Sequence, residues 1–165
     1  MPTPIPYLVF DGNCAEAMRF YEHALGGQLH MMTHGQSPAA VYTPPGNADR
    51  VLHARLVLDG GFVMASDALA GQPYEGMKGF SVSLVFPSGA EARRVWDTLS
   101  DRARTVIMPL QQTFWAEAFG MLVDRFGTPW MINGGMTGPV TGGSPGARAD
   151  ERRAGPARRA RRSPA

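Results

Sequence analysis

Along most of the chain apolar residues alternate with polar ones or cluster in short runs, and in two places they switch to helical spacing. Residues 5–10 (IPYLVF) read as a strand. Asp11-Gly12-Asn13 follows as a turn and helix start, after which Cys14, Met18, Tyr21 and Leu25 fall at i, i+4, i+7 and i+11, one apolar stripe. Gly26-Gly27 supplies the stop. Residues 28–33 return to strand spacing, and a loop rich in Pro, Gly and Ser leads to two more strands, 51–58 and 62–66. Asp59-Gly60-Gly61 between them has the glycines a hairpin turn wants. The first half is βαβββ.

The same order recurs from Gly79. Residues 80–86 form a strand, and Ser88 with Glu91 three positions on is a capping box that opens a helix whose buried stripe is Val95, Trp96, Leu99 and Ala103. Residues 105–110, 117–123 and 129–133 supply three further strands, the last two joined by a turn over 124–128. Two βαβββ modules, 4–67 and 79–134, therefore predict an α+β domain over residues 1–136. Each module has one helix to cover one face of its sheet and leaves the other face bare. Two bare, concave faces of curled sheets set side by side would enclose a cleft, the kind of concavity ligands occupy.

From Thr137 the pattern stops. The run TGPVTGGSPG and the arginine-rich sequence after it hold almost no large apolar residue, so residues 137–165 are expected to be a disordered basic tail. This changes the meaning of the formal net charge of +2. Seven arginines and two acids lie in the tail, which leaves the first 136 residues with nine basic and twelve acidic groups, a formal −3. Clustered arginines can contact nucleic-acid phosphates, but composition is the whole signal, and a solubilising extension is the plainer reading. A chain of 165 residues with 44% hydrophobic and 18% charged residues is neither a fibrous repeat nor wholly disordered. One cysteine allows neither an intramolecular disulfide nor a cysteine-based zinc cluster, and no stretch approaches the ~20 apolar residues of a membrane span. A cytoplasmic protein without membrane association is expected.

Three segments, PYLVFDGNCAEAMRFYEHALGG, DGGFVMASD and QQTFWAEAFGMLVDRFGTPWMIN, together resemble the PhnB-like branch of the vicinal oxygen chelate superfamily, which includes glyoxalase I enzymes, bleomycin resistance proteins and extradiol dioxygenases. The resemblance spans residues 4 to about 135. It implies paired βαβββ modules, a homodimer, and a cleft in which the superfamily's enzymes bind a divalent metal through His and Glu on the first and last strands. The corresponding positions here are Pro6 and Ser81, Met64 and Met131, none of which suits a hard or borderline cation. No metal ligand and no cofactor are therefore expected, a loosely held divalent metal being the alternative. Members of this branch carry a ubiquinone methyltransferase label, yet no glycine-rich strand-to-helix turn here supports a methyl-donor site.

His53 is the candidate catalytic residue, because an imidazole moves protons near neutral pH, and strand alternation puts Arg55 on its face. Asp67, at the end of a strand that pairs with theirs, is a candidate ligand-binding residue; the alternative for His53 is a half-buried strand residue hydrogen-bonded to a neighbour such as Asp67. Phe114 and Trp115 can stack on a flat ligand while Gln111 and Glu117 orient its polar atoms; core lid or dimer contact is the alternative for the two rings. Tyr74, in the loop over 68–78, can close the cleft mouth. Cys14 reads as packing, and Trp130 as core. The reading that follows is a small-molecule-binding protein of a metal-poor type; the alternative is a metal-dependent lyase, isomerase or dioxygenase acting on vicinal oxygens.

Overall fold

The strand and helix spacings fold as two copies of one unit, which the computed structural model describes over residues 2–137. The first unit comprises β1 (Tyr7–Phe10), α1 (Cys14–Leu25), β2 (Gln28–Thr33), β3 (Val51–Leu58) and β4 (Gly61–Asp67), with a single 3-10 turn at Ala40–Tyr42 in the long loop. The second comprises β5 (Val82–Phe86), α2 (Gly89–Ser100), β6 (Thr105–Gln111), β7 (Ala116–Val123) and β8 (Pro129–Met136). The first sheet runs β1-β4-β3-β2 and the second β5-β8-β7-β6, with the first strand of each unit parallel to the last and all other pairs antiparallel. Phe10 stands opposite Asp67, and Phe86 opposite Gly134. Of the basic tail only Thr137 is described, its amide donating to the Trp115 carbonyl at 2.8 Å; the rest of that segment lies outside the described residues.

Boundaries differ from expectation where pairing or backbone geometry overrides pattern. β1 and β5 start two residues late, because the ladder begins only at Tyr7 opposite Met64 and at Val82 opposite Trp130. β8 continues to Met136, since Ala116 of β7 pairs with it there. α2 stops at Ser100, short of the stripe residue Ala103, and Arg102 just beyond the helix takes φ 55°, a conformation no helix continues through. Ala103 still packs on the core from the turn. Ser88 caps α2 as its sequence foretells, its hydroxyl accepting the Glu91 amide.

The two units share one core. Leu8, Phe10, Met18, Tyr21 and Leu56 of the first are continuous with Val95, Leu99, Leu122, Trp130 and Ile132 of the second. The contact runs through the helix-covered sides: Phe20 meets Phe126 at 5.5 Å between ring centroids, and Tyr21 meets Trp130 edge-on at 5.1 Å. One buried carboxylate ties this seam. Asp124, in the turn between β7 and β8, accepts the Phe126 and Thr128 amides on Oδ1 and the Tyr21 hydroxyl (2.6 Å) and Trp130 Nε1 (2.8 Å) on Oδ2. The Tyr21 hydroxyl also lies 2.7 Å from Thr128 Oγ1. Burial first, and Asp124 second, hold the Tyr21 phenol well above its ordinary pKa, so it remains a donor.

With the helices turned inward, the bare sheet faces are open to solvent. Tyr7 and Met32 on the first are 45% and 42% exposed, and Val85 on the second is 64% exposed.

Candidate functional site

Strand alternation sorts the first sheet into two faces. Leu8, Phe10, Ala54, Leu56, Val63 and Ala65 pack toward α1, so Tyr7, His30, Met32, His53, Arg55, Phe62 and Met64 occupy the bare face. The register then decides neighbours: His30 stands opposite Arg55, Met32 opposite His53, Arg55 opposite Met64, and Val57 opposite Phe62. A concavity of about 450 Å³ opens over β2 and β3, lined by His30, Met31, Met32, His53, Arg55 and Val57. The Arg55 guanidinium sits 3.9 Å above the Phe62 ring, and the His53 ring lies 6.1 Å from that of Tyr7. Among the described residues Arg55 has no ion-pair partner.

His53 and Arg55 thus share a face as alternation requires. A His53–Asp67 hydrogen bond does not form, because Asp67 points to the opposite side of the sheet. There it is 7% exposed and fully engaged, Oδ1 accepting the Gly12 and Cys14 amides and Oδ2 the Val51 amide. Asn13 occupies the α1 N-cap position without making a cap bond, so Asp67 anchors that helix terminus from the far end of β4. Its carboxylate has no oxygen facing the concavity, which corrects its placement among ligand-binding groups.

Glu117 does the corresponding work in the second unit. Its Oε2 accepts the Gly89 amide at 2.7 Å, at the first turn of α2. The side chain lies across β8, and Gly135 (φ 58°) makes room: a Cβ there would come within 2.3 Å of the Glu117 Cδ. The other candidates also belong elsewhere than the concavity. Gln111 pairs with Phe119 at the end of β6; Phe114 is 90% exposed and stacks edge-on against Trp115, which meets Phe119 in turn. Tyr74 donates its hydroxyl to the Val9 carbonyl of β1 at 2.8 Å, and partial burial raises its phenol pKa. The seven candidates are therefore not one site. His53 keeps company with His30, Arg55, Tyr7 and Phe62, and the signal for these was available in the alternation of β1, β2 and β4 once the pairing register was known.

Cys14 is fully buried at the start of α1, and burial, with the nearby Asp67 carboxylate, pushes its thiol up to about 12. It is a packing residue, not a nucleophile.

The divalent cation that the superfamily's enzymes hold would need hard or borderline donors from the first and last strands. Met64 lies opposite Tyr7 and Met131 opposite Ser83, at the positions where ligands would stand. Among the described residues no three His, Cys, Asp or Glu side chains converge, and the two imidazoles of the concavity share it with a guanidinium. This donor set does not fit such an ion.

The chain matches the family model described as 3-demethylubiquinone-9 3-methyltransferase over residues 2–133. It is 33% identical over 137 residues to protein YjdN of Escherichia coli, covering 78% of this chain and 92% of that protein. Among solved structures it is similar to protein PA1353 from Pseudomonas aeruginosa, with 46% identity, a TM-score of 0.74, and 81% and 97% of the two chains covered. A putative 3-demethylubiquinone-9 3-methyltransferase, PhnB protein, from Bacillus cereus shares the fold at 24% identity and a TM-score of 0.64, with 80% and 98% covered. With its two mixed four-stranded sheets and paired helices, the chain belongs to the 3-demethylubiquinone-9 3-methyltransferase family and has the vicinal oxygen chelate fold.

Proposed function

We propose that the protein binds a small organic molecule in the concavity of the first sheet and works without a resident divalent cation. The observation that carries this reading is the lining itself: imidazole and guanidinium groups converge among methionine and aromatic side chains on a sheet face no helix covers. His53 is the polar anchor of this site, and the proton acceptor for a ligand that carries an acidic hydrogen. The turns that lead from β1 to α1 (Asp11-Gly12-Asn13) and from β5 to α2 (Pro87-Ser88) are not glycine-rich, so the methyltransfer in the family's description draws no support from them.

A homodimer completes the proposal. The bare faces carry exposed Tyr7, Val9, Met32, Val85 and Ile107, and a second copy laid across them would deepen the shallow concavity into a cleft. A cytoplasmic location accords with the single cysteine remaining a thiol.

The test combines metal analysis of the purified protein with a thermal-shift screen of small organic compounds and of Ni, Zn, Mn and Fe ions. A ligand present at a hundred times its Kd stabilises by about 2.7 kcal/mol, several degrees for a domain of this size. Organic compounds are expected to raise Tm in the parent and not in His53→Ala, and the ions to leave it unchanged. Near-stoichiometric bound metal with a matching shift would instead favour the metal-dependent lyase, isomerase or dioxygenase. Light scattering checks the assembly, where a monomer at micromolar concentration would refute the dimer.

A further inference from the structure

The charge on the bare face of the first sheet narrows the class of ligand. Across its four strands the titratable groups on that face are Tyr7 on β1, His30 on β2, and His53 and Arg55 on β3; β4 adds none, and no carboxylate stands among them. Of the acidic side chains nearby, Asp67 is committed to the α1 terminus, Glu22 to the Leu29 amide and Asp11 to Arg50, and Asp49 and Asp59, in the loops that flank β3, form no ion pair with Arg55. A directly opposed pair on a sheet places its Cβ atoms about 5 Å apart, so His30, which faces Arg55, and His53, on the next pair along the same face, set their ring nitrogens beside the guanidinium. Among the described residues no carboxylate lies within ion-pair distance of Arg55, while Phe62 covers one face of its guanidinium and leaves the in-plane N–H donors free.

A concavity whose fixed charge is positive repels a cation and attracts an anion, and a planar fork of donors matches an oxyanion best. From this we infer that the ligand is an organic oxyanion, a carboxylate or phosphonate headgroup seated between Arg55, His30 and His53 with an apolar body over Met32 and Tyr7. The inference rests on the proposed reading that this concavity is the binding site. It adds the charge of the occupant.

The experiment is an NMR titration of the full chain with benzoate, phenylphosphonate, inorganic phosphate and the neutral isostere benzamide, each at millimolar concentration, following the His30, His53 and Arg55 resonances. Benzoate or phenylphosphonate is expected to bind roughly tenfold or more tightly than benzamide, with the gap closing in Arg55→Met and only partly retained in Arg55→Lys. Arg93→Met, on the exposed side of α2, should bind as the parent does. Far-ultraviolet circular dichroism and Tm establish that each variant is folded. The two aromatic anions separate carboxylate from phosphonate, and phosphate alone reports whether the headgroup suffices. Equal binding of benzamide and benzoate at these residues overturns the anion inference while leaving the site in place. Silence of all three resonances toward all four probes overturns both.

Discussion

The carboxylate at the seam between the two units should be among the most costly polar side chains to alter. Asp124 is fully buried and receives four donors, two from its own turn and two from side chains that include Tyr21, 103 positions away in the other unit. In Asp124→Asn the remaining oxygen can keep the Phe126 and Thr128 amides, but an NH2 group then faces the Tyr21 hydroxyl and the Trp130 N–H. The hydroxyl has somewhere to turn, since Thr128 Oγ1 is 2.7 Å away. The indole N–H has not, because Trp130 is 1% exposed. One orphaned buried donor costs about 1–3 kcal/mol, and loss of ionic character in the bonds that survive adds about 1 kcal/mol. We expect about 2–4 kcal/mol in total. Tyr21→Phe removes one bond to a charged group and should cost about 1.5–3 kcal/mol.

Urea denaturation measures both. With a slope of about 2 kcal/mol/M, Asp124→Asn should lower the midpoint by about 1–2 M with an unchanged slope. The control is Asp101→Asn, which breaks the Asp101–Arg125 pair at the surface, where Asp101 is 61% exposed; it should cost less than about 1 kcal/mol. In the double variant Tyr21→Phe, Asp124→Asn the two losses should fail to add by about 1 kcal/mol or more. An Asp124→Asn midpoint no lower than that of Asp101→Asn, or strict additivity of the pair, would refute the seam as the place where the units are tied.

Other outcomes follow from the same geometry. Asp67→Ala strips acceptors from the Gly12, Cys14 and Val51 amides and should destabilise by about 2–4 kcal/mol, read in the same urea assay; a loss below about 1 kcal/mol would show that water replaces it. Gly135→Ala forces Glu117 off the Gly89 amide, so its cost should shrink in a Glu117→Ala background, where the side chain it meets is gone, and equal costs in both backgrounds would contradict the coupling. Both the Cys14 thiol and the Tyr21 phenol have folded pKa values raised above their unfolded ones. Each therefore contributes stability that is complete below its unfolded pKa and lost as pH rises through the folded one. Stability should fall from about pH 9 upward, less steeply in Cys14→Ala and Tyr21→Phe, and an unchanged pH slope in both would dismiss the assignment.

The order of elements was legible because each strand and helix carries its own period, and the capping serine and the Gly26-Gly27 stop mark their ends locally. What the sequence leaves dark is long-range. That His53 and Arg55 share a face needs only β3, but that His30 faces Arg55, and Phe62 lies under it, depends on a register set by partners tens of residues away. Asp67 misled for the same reason. A carboxylate at a strand end near a histidine in sequence order reads as its partner, whereas the pleat turns it to the other side and the open N-terminus of α1 claims it. For the aromatic segment Phe114–Trp115 the sequence left ligand platform, core lid and dimer contact open, because spacing alone does not show that the two rings meet edge-on with Phe114 exposed.

The two units have kept the same scaffold and parted in chemistry. Each helix N-terminus is held by a carboxylate from its own sheet, Asp67 reaching from the end of β4 and Glu117 from β7 across Gly135, so that anchoring is common to both. The bare faces are not alike. On the first, His30, His53 and Arg55 converge without a counter-ion; at the corresponding place on the second, Ser83 accepts the Asn133 amide beside Met131 and Met121, so the polar groups there satisfy one another. A face whose polar groups are already paired offers little to an incoming charge, whereas one that leaves a guanidinium and two imidazoles without protein partners keeps their hydrogen-bonding groups available to a ligand. That asymmetry favours the first sheet for the proposed binding chemistry, and in the proposed dimer it leaves the second sheet to wall the site in from a neighbouring copy.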